Sequence, residues 1–235
     1  MKKICLVTGA KKGIGYAISQ NLLKEGYVVV MTDCEEIEEQ DVNIETFKAD
    51  ITKEKDLLKL KEYIIKTHGR LDCLVCNAGI IPTPCGIDDI TDANIDKTID
   101  VNLKGTFRCL RIFGKLIKET SKNGSIVNIT SVDGIIGEPF AVIYSATKAG
   151  IISLTKSFAR NLGEGVRVNA VAPGLIDTPL TKSLGNDPSW TTDFSIIKRI
   201  GNPNEIANAV EFLLSDKATF ITGQILTVDG GFILK

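Results

Sequence analysis

Runs of apolar, mostly β-branched residues alternate along the chain with segments whose apolar residues recur at helical spacing. Seven short runs are strand candidates: "ICLV", "YVVVM", "TFKAD", "CLVC", "SIVNIT", "VRVNAV" and "ILTVDGG". The main helix candidates between them are residues 16–25, 53–66, 93–120 and 144–162. Strands that alternate with helices are typical of a parallel sheet covered by helices on both faces. The pattern therefore predicts an α/β fold, a single-domain doubly wound parallel sheet.

Two segments interrupt this alternation. Residues 34–45, "CEEIEEQDVNIE", are acidic and too poor in apolar residues for a full packing helix, so we expect a short crossover there. Residues 173–203 contain Pro, Gly and Ser and follow the strands that would build a pocket. We predict one domain over residues 1–235, with a short substrate lid at about residues 175–203.

Composition narrows the class of protein. The chain has 235 residues, 43% of them hydrophobic, which suffices for the core of one large domain. Its 28 basic and 29 acidic residues are spread evenly and give a net charge of −1, which disfavours a nucleic-acid face or a basic membrane surface. The first apolar run stops at Thr8, too early for a signal peptide, and no 18-residue apolar run follows. We expect a cytoplasmic protein with small-molecule partners.

The cysteines and the histidine do not indicate a metal site. The six cysteines stand at positions 5, 34, 73, 76, 85 and 109, mostly within apolar segments, so we expect reduced thiols. Cys73 and Cys76 would point to opposite faces of a strand and could not bind one metal ion. His68 lies between a helix and a strand, and we interpret it as a surface loop residue.

A glycine-rich turn follows the first predicted strand. The stretch "TGAKKGIG" places Gly9, Gly13 and Gly15 at the start of a helix, and Asp33 lies twenty residues after Gly13 at the end of the second strand. Glycines let the backbone approach a pyrophosphate, and the helix N-terminus offers free amides. An ordinary strand-to-helix turn would need only part of this pattern. With an acid placed for the ribose hydroxyls, the pattern favours a dinucleotide site.

Six further features stand in a fixed order along the chain. They are "NAG" at residues 77–79, "VNLKG" around Asn102, Ser131, the pair Tyr144 and Lys148 in "YSATKAG", Pro173-Gly174, and "ITGQILTVDGG" near the end. Together with the glycine-rich turn, these motifs make the chain resemble the short-chain dehydrogenase/reductase family from end to end. The resemblance implies a Rossmann fold that binds a nicotinamide dinucleotide.

The resemblance also implies roles for individual residues. It assigns catalysis to Asn102, Ser131, Tyr144 and Lys148. Asp50 and Ile51 would flank the adenine, and Ile176 and Thr178 would hold the nicotinamide carboxamide. The full predicted cofactor-binding set is Gly9, Lys12, Gly13, Ile14, Gly15, Asp33, Asp50, Ile51, Asn77, Ala78, Gly79, Tyr144, Lys148, Pro173, Gly174, Ile176 and Thr178. No metal ligand is predicted.

The chemistry of a tyrosine explains the spacing in "YSATKAG". Hydride transfer to a ketone leaves an oxygen that must be protonated, and a tyrosine can serve as acid and base if its pKa approaches neutrality. Moving a phenol from ~10 to ~7 requires about 4 kcal/mol. Lys148, one helical turn from Tyr144, supplies a charge of the right sign. Ser131 would hydrogen-bond the substrate oxygen, and Asn102 would hold a water in a proton relay from Lys148. A surface Tyr–Lys pair with a loop hydroxyl is the structural alternative.

Two residues give opposite indications about the cofactor. Lys12 could pair with the 2′-phosphate of NADP, whereas Asp33 would bond the free ribose hydroxyls of NAD and repel that phosphate. Residue 34 is Cys rather than a second cation, and an exposed lysine loses much of its attraction to solvent. We therefore expect NAD, with NADP less favoured.

Three functions remain open. The first is an NAD(H)-dependent dehydrogenase or ketoreductase for a small alcohol or ketone. The second is a 3-oxoacyl-[acyl-carrier-protein] reductase using NADPH, although Glu164 stands where carrier docking favours a base, with Lys122 elsewhere. The third, a non-catalytic nucleotide-sensing protein, would not need Ser131, Tyr144 and Lys148 together.

The resemblance also implies a partner and a pocket. We expect a homo-oligomer, a dimer or tetramer, that pairs the helices of residues 93–120 and 144–162. Expected pocket walls are residues 80–84 and 133–140 together with Leu180, Trp190 and Phe194, with a polar substrate group near Glu138.

Overall fold

One parallel sheet organises the molecule. The computed structural model describes residues 2–38, 44–182 and 195–234. Its seven strands are ordered β3-β2-β1-β4-β5-β6-β7, and neighbouring strands pair in parallel. They span β1 Ile4–Thr8, β2 Val28–Asp33, β3 Ile44–Lys48, β4 Cys73–Cys76, β5 Gly124–Ile129, β6 Val166–Pro173 and β7 Ile225–Val228. Each predicted strand is therefore confirmed, with ends that differ from the expected ones by at most three residues.

The helices cover both faces of this sheet. They are α1 Gly13–Lys24, α2 Glu54–His68, α3 Asp92–Thr98, α4 Thr106–Thr120, α5 Asp133–Ile136, α6 Val142–Leu162, α7 Pro179–Lys182 and α8 Pro203–Leu214. Short 3₁₀ turns occupy Ile87–Asp89, Asp216–Ala218 and Phe232–Leu234. The doubly wound single-sheet fold is confirmed.

Two hydrophobic cores flank the sheet because buried parallel strands carry apolar residues on both faces. One core packs β-strand residues such as Leu6 and Leu74 against α2 and α4, and the other packs Val7 and Val75 against α1 and α8. Cys76 belongs to the first core and Cys73 to the second. The expectation that Cys73 and Cys76 point to opposite faces is therefore confirmed, and all six cysteines are free.

The segment predicted as one helix over residues 93–120 is divided into three parts, so that prediction is wrong in its middle. A π-helix, Ile99–Gly105, lies between α3 and α4. Its centre holds the buried side chain of Asn102, and π-helical turns often accompany functional side chains. The apolar spacing continues across the junction, so the sequence pattern does not indicate the wider turn.

The two irregular segments differ in how much of them is described. No helix follows β2 within residues 34–38, in agreement with the expected short crossover. In the predicted lid, α7 begins at Pro179, and Ile176 forms a parallel bridge with Gly201. Residues 183–194 lie outside the described ranges, and with them Trp190 and Phe194, two of the predicted pocket walls.

His68 corrects another expectation. It ends α2, its side chain is only 13% exposed, and its Nε2 atom lies 3.1 Å from Glu45 Oε2 on the edge strand β3. It is thus not a surface loop residue, because β3 packs beside the end of α2. Within residues 2–38, 44–182 and 195–234, no three His, Cys, Asp or Glu side chains are grouped to hold a metal ion. None of the helices described here is both long enough and apolar enough to span a membrane.

Candidate active site

The glycine-rich turn lies where the strand order reverses, between β1 and β4. Gly9 and Gly13 have φ angles of 63° and 61°, which favour glycine. A Cβ on Gly9 would lie 2.6 Å from Ala78 Cα, and one on Gly15 would collide with the Gly9 carbonyl. The turn therefore brings bare backbone to the position where ligands bind in doubly wound sheets.

Asn77 fixes this turn to the end of β4. Its Nδ2 atom donates to the carbonyls of Thr8 at 3.0 Å and Gly9 at 2.8 Å, and its backbone N–H donates to Thr8 Oγ1 at 3.0 Å. The Ala78 N–H also reaches Thr8 Oγ1, at 3.2 Å. The side chain of Asn77, a predicted lining residue, thus fixes the shape of the glycine-rich turn, which is called the cradle below.

The cradle fits a dinucleotide pyrophosphate. Helix α1 begins at Gly13, and its N-cap residue is the exposed Lys12. The Lys12 side chain makes no hydrogen bond to the first backbone N–H groups of the helix. Those amides and the positive end of the helix dipole remain available for an anion. Ile14 packs its partly buried side chain against the core beneath.

Asp33 lies beside the glycine-rich turn, on the side where we predict the ribose. Its carboxylate accepts hydrogen bonds from the Lys11 N–H at 3.3 Å and the Glu35 N–H at 3.2 Å, which fixes it beside the glycine-rich turn. The Lys11 ammonium is paired with Glu35 at 2.5 Å. Two backbone N–H groups thus anchor the Asp33 carboxylate, whereas the Lys11 ammonium already has an anionic partner.

Asp50 and Ile51, which we expect at the adenine end of the cofactor, contact neighbouring residues of the protein. Asp50 Oδ1 accepts a hydrogen bond from the Thr52 hydroxyl at 2.7 Å, and the Ile51 side chain packs against Gly105 of the π-helix.

Thr178 and Ile176 are expected at the nicotinamide end. A Cβ on Gly13 would meet the Thr178 side chain at 3.5 Å. Ile176 is buried, and Gly174, next to Pro173, packs closely against Asp229. Thr178 therefore faces the glycine-rich turn, whereas the Ile51 and Ile176 side chains stabilise neighbouring segments.

The predicted catalytic residues converge beyond the ends of β4 and β5. Lys148 is 4% exposed, its Nζ atom donates to the Ile129 carbonyl at 3.0 Å, and it lies 5.4 Å from the centroid of the Tyr144 ring. The Ser131 hydroxyl lies close enough to the Tyr144 phenol to act on its pKa. Three of the four predicted residues thus form one contact group.

The titration of this group differs from the expectation. Burial, and then the charge of Asp133, raise the pKa of Tyr144, and only the neighbouring Ser131 hydroxyl opposes them. Burial lowers the pKa of Lys148 to about 8, an effect that Asp133 opposes. The protein's own groups therefore favour the neutral phenol, because burial disfavours the phenolate and the attraction that we expected from Lys148 does not contribute.

Asp133 was expected only in a pocket wall, but the structure places it beside Ser131. Its N–H donates to Ser131 Oγ at 3.1 Å. Burial and the charge of Glu138 raise the pKa of its carboxyl, and the Ser131 hydroxyl and the charge of Lys148 oppose this rise. Its position two residues after Ser131 was the available signal.

Asp133 and Glu138 also border a cavity beside α5 and the start of α6. The cavity has a volume of about 620 Å³, and its remaining walls include Ile135, Pro139 and Val142. It lies against the predicted pocket wall of residues 133–140. Two carboxyl groups thus border an otherwise largely apolar cavity.

Asn102, the fourth predicted catalytic residue, binds the Ile80 loop and α6 through its side chain. Its amide binds both backbone groups of Ile80, accepting from the N–H and donating to the carbonyl at 2.8 Å each. The same Nδ2 atom donates to Thr147 Oγ1 at 3.2 Å. Its side chain therefore holds the loop of residues 80–84, and Thr147 joins the site without having been predicted.

The chain matches known proteins over nearly its whole length. Residues 9–233 match the family model described as enoyl-(acyl carrier protein) reductase. The 3-oxoacyl-[acyl-carrier-protein] reductase FabG of Thermotoga maritima is 37% identical over 244 residues, covering 99% of this chain and 98% of that protein. The Staphylococcus epidermidis protein of the same name is 38% identical and is covered completely, as is this chain.

Solved structures agree closely in fold. Thermoplasma acidophilum aldohexose dehydrogenase superimposes with a TM-score of 0.93 at 34% identity, over 100% of this chain and 95% of that one. ElxO with NADP bound gives 0.93 at 31%, covering both chains completely. The 3-ketoacyl-(acyl-carrier-protein) reductase of Brucella melitensis complexed with NADH gives 0.93 at 30%, over 98% of each chain. Such full-length similarity, on a sheet that carries the glycine-rich turn, establishes that this chain belongs to the short-chain dehydrogenase/reductase family and is an oxidoreductase acting on a CH–OH or ketone group.

Proposed function

We propose that the protein interconverts a ketone and a secondary alcohol, with Tyr144 as the acid and base. The observation that carries this proposal is the contact group of Ser131, Tyr144 and buried Lys148. A phenol and a hydroxyl that lie side by side offer two polar groups to one substrate oxygen.

The proposed roles follow from the contacts. When bound in the cradle, a nicotinamide dinucleotide supplies or accepts the hydride, and the positive charge of its oxidised form favours the phenolate. Ser131 orients the substrate oxygen, and Tyr144 donates the proton in reduction or removes it in oxidation. Lys148, held by the Ile129 carbonyl at 3.0 Å, supplies a buried positive charge near the ring.

We propose 3-oxoacyl thioesters as the substrate class. From the sequence we expected a small free alcohol or ketone first and this class second, but the relatives support the second better. Two of them, 37% and 38% identical over almost their full lengths, are named 3-oxoacyl-[acyl-carrier-protein] reductases. An acyl carrier protein is then the expected macromolecular partner.

One observation favours a second substrate class, polyhydroxylated ketones or alcohols. Asp133 and Glu138 border the cavity of about 620 Å³ and could accept hydrogen bonds from substrate hydroxyls. The aldohexose dehydrogenase, with a TM-score of 0.93, is a neighbour whose name indicates such a substrate. Sugars and diols therefore belong in the same assay.

For the cofactor we propose NAD(H) in preference to NADP(H). The anchored carboxylate of Asp33 and the pairing of Lys11 with Glu35 at 2.5 Å support this choice. A neighbour with bound NADP and another with NADH indicate that this family fold accommodates both. The side chain at the end of β2, Asp33, then determines which of the two cofactors this protein prefers.

The test is an initial-rate assay that follows absorbance of the reduced cofactor. The substrates compared are acetoacetyl-carrier protein, acetoacetyl-coenzyme A, ethyl acetoacetate, aldohexoses and vicinal diols. Ketones are assayed in the presence of NADH or NADPH, and alcohols in the presence of the oxidised cofactors. We expect the highest kcat/KM for the acetoacetyl thioesters. Higher efficiency for the sugars or diols would replace the first substrate class by the second.

Tyr144→Phe tests the proposed acid/base role. Removal of a general acid should lower kcat by about 10² or more, while the dissociation constant of the cofactor stays within about threefold. Tyr63→Phe is the matched control, because that phenol bonds Glu45 at the edge strand at 2.7 Å. A Tyr144→Phe enzyme that keeps kcat within about tenfold of the parent, with chemistry limiting the rate, would contradict the assignment.

A further inference from the structure

Thr147 lies inside the "YSATKAG" stretch, between the two predicted catalytic residues of α6. It is almost completely buried. Its hydroxyl donates to the Tyr144 carbonyl at 2.7 Å and accepts from Asn102 Nδ2 at 3.2 Å. Because one hydroxyl contacts both residues, it links the acid/base helix directly to the π-helix.

The amide of Asn102 is held in one orientation by these contacts. Its oxygen accepts from the Ile80 N–H at 2.8 Å, and its nitrogen donates to the Ile80 carbonyl at 2.8 Å and to Thr147. A rotated amide would place like groups against each other at Ile80. Thr147 completes the set, since it accepts the second N–H of a buried amide that has no access to water.

The loop that Asn102 holds borders Lys148. A Cβ on Gly79 would lie 3.3 Å from Asn102 Oδ1 and 3.5 Å from Lys148 Nζ. The amide oxygen and the ammonium group therefore face the same small space in front of Gly79. A change in the position of Asn102 would alter the surroundings of Lys148 and the loop that begins at Ile80.

We propose that Thr147 is a positioning residue: its hydroxyl fixes the Asn102 amide and thereby keeps the loop of Ile80 in register with Tyr144 and Lys148. This inference rests on the proposed acid/base role of Tyr144 and adds a fifth residue to the set. Thr147 acts through Asn102 and the Tyr144 backbone. Its loss should therefore affect turnover more than cofactor binding.

The same helix provides a matched control. Thr155, two turns further along α6, is fully buried, donates to the Ile151 carbonyl at 2.8 Å and accepts from Asn128 Nδ2 at 2.9 Å. The two threonines thus have the same kind of partners, a helix carbonyl and an asparagine amide. Only the Asn102 contact leads to the loop that borders Lys148.

The experiment compares Thr147→Val, Thr155→Val and Thr147→Ser in the full-length protein. Valine keeps the shape and removes the hydroxyl, whereas serine keeps the hydroxyl. We expect kcat to fall about tenfold or more in Thr147→Val and to stay within about twofold of the parent in Thr155→Val. The melting temperatures of the two valine variants should be similar, cofactor KM should stay within about threefold, and Thr147→Ser should recover kcat to within about threefold.

Two outcomes would overturn the inference. One is equal kcat in Thr147→Val and Thr155→Val, and the other is failure of Thr147→Ser to recover what Thr147→Val loses. If Thr147→Val does not fold, the pair Thr147→Ala and Thr155→Ala is judged by the same criteria. Failure of the proposed function is distinguishable, because Tyr144→Phe would then keep its activity, whereas failure of this inference leaves Tyr144→Phe inactive.

Discussion

Among single residues, Asp33 should decide which dinucleotide the protein uses. Its carboxylate is fixed by the Lys11 and Glu35 amides and would repel a 2′-phosphate at short range. We expect kcat/KM to favour NAD(H) by at least about tenfold, about 1.4 kcal/mol, and Asp33→Ala to narrow or reverse this preference. Glu36→Ala is the control, since that acid pairs with Lys48 at 3.3 Å. Equal or better efficiency with NADPH in the parent protein would contradict the prediction.

Asp133 should set the pH at which the active site titrates. Its negative charge raises the pKa of Tyr144 and opposes the burial that lowers the pKa of Lys148 to about 8. Asp133→Asn removes that charge, so the pKa of both groups falls. Alcohol oxidation, which needs the deprotonated base, should then extend to lower pH by on the order of one unit.

The measurement for Asp133→Asn is the pH profile of kcat in both directions. Reduction needs the protonated phenol, so its activity should be lost at a lower pH than in the parent protein. Glu138→Gln is an informative comparison, because its charge raises the pKa of Asp133 and should influence Tyr144 only indirectly. A profile that stays in place or moves to higher pH would show that Asp133 does not act on the acid/base group.

At the scale of elements, the packing of α5 on α6 brings Ser131 to Tyr144. A Cβ on Gly134 would lie 2.7 Å from the Lys148 backbone carbon and 2.8 Å from the Ala149 nitrogen. Because backbone cannot yield as a flexible side chain does, Gly134→Ala should push α5 away from α6. We expect kcat to fall by about tenfold or more, with a lower melting temperature.

The control for Gly134→Ala is Gly86→Ala, where φ is −64° and a Cβ would meet only Asp89 Oδ2, at 3.4 Å. Both variants add one methyl group, so they differ in the surroundings of that methyl group. Comparable kcat values for the two variants would indicate that the contact between α5 and α6 has no part in assembling the site.

The π-helix is the second element that matters for the site. It turns Asn102 inward, where the amide reaches the Ile80 backbone and Thr147, and Gly105 leaves room for Ile51. A regular helix over residues 93–120 would distribute the same side chains differently around its axis. The wider turn thus joins a predicted catalytic residue to a loop that is 22 residues away in sequence.

For the whole molecule, we expect a dimer or tetramer that pairs α4 and α6 with their copies. Phe107 of α4 is 42% exposed, and its ring meets Phe158 of α6 edge to face at 5.8 Å between centroids. Light scattering at micromolar concentration should give a multiple of 25.5 kDa. Phe107→Asp should weaken the assembly, whereas Leu58→Asp on α2 should not. A 25.5 kDa monomer in the parent protein would contradict this prediction.

The sheet, its helices and the position of the cradle could be predicted without coordinates. These features depend on local signals: β-branched runs, helical spacing, and glycines whose backbone geometry other residues avoid. The proximity of Tyr144 and Lys148 was also predictable, because residues four apart lie on one face of a helix. The motifs that resemble the family supplied Ser131 and Asn102, which no local pattern joins to that pair.

The contacts between these residues, in contrast, follow from the way the chain folds in three dimensions. The pKa of Tyr144 depends on burial and on Asp133, which comes from another element. The contacts of Asn102 with Ile80 and Thr147, and of His68 with Glu45, join segments 22, 45 and 23 residues apart. Hydrogen bonds and desolvation act over a few ångströms in space, and the sequence does not record which distant segments the sheet brings that close.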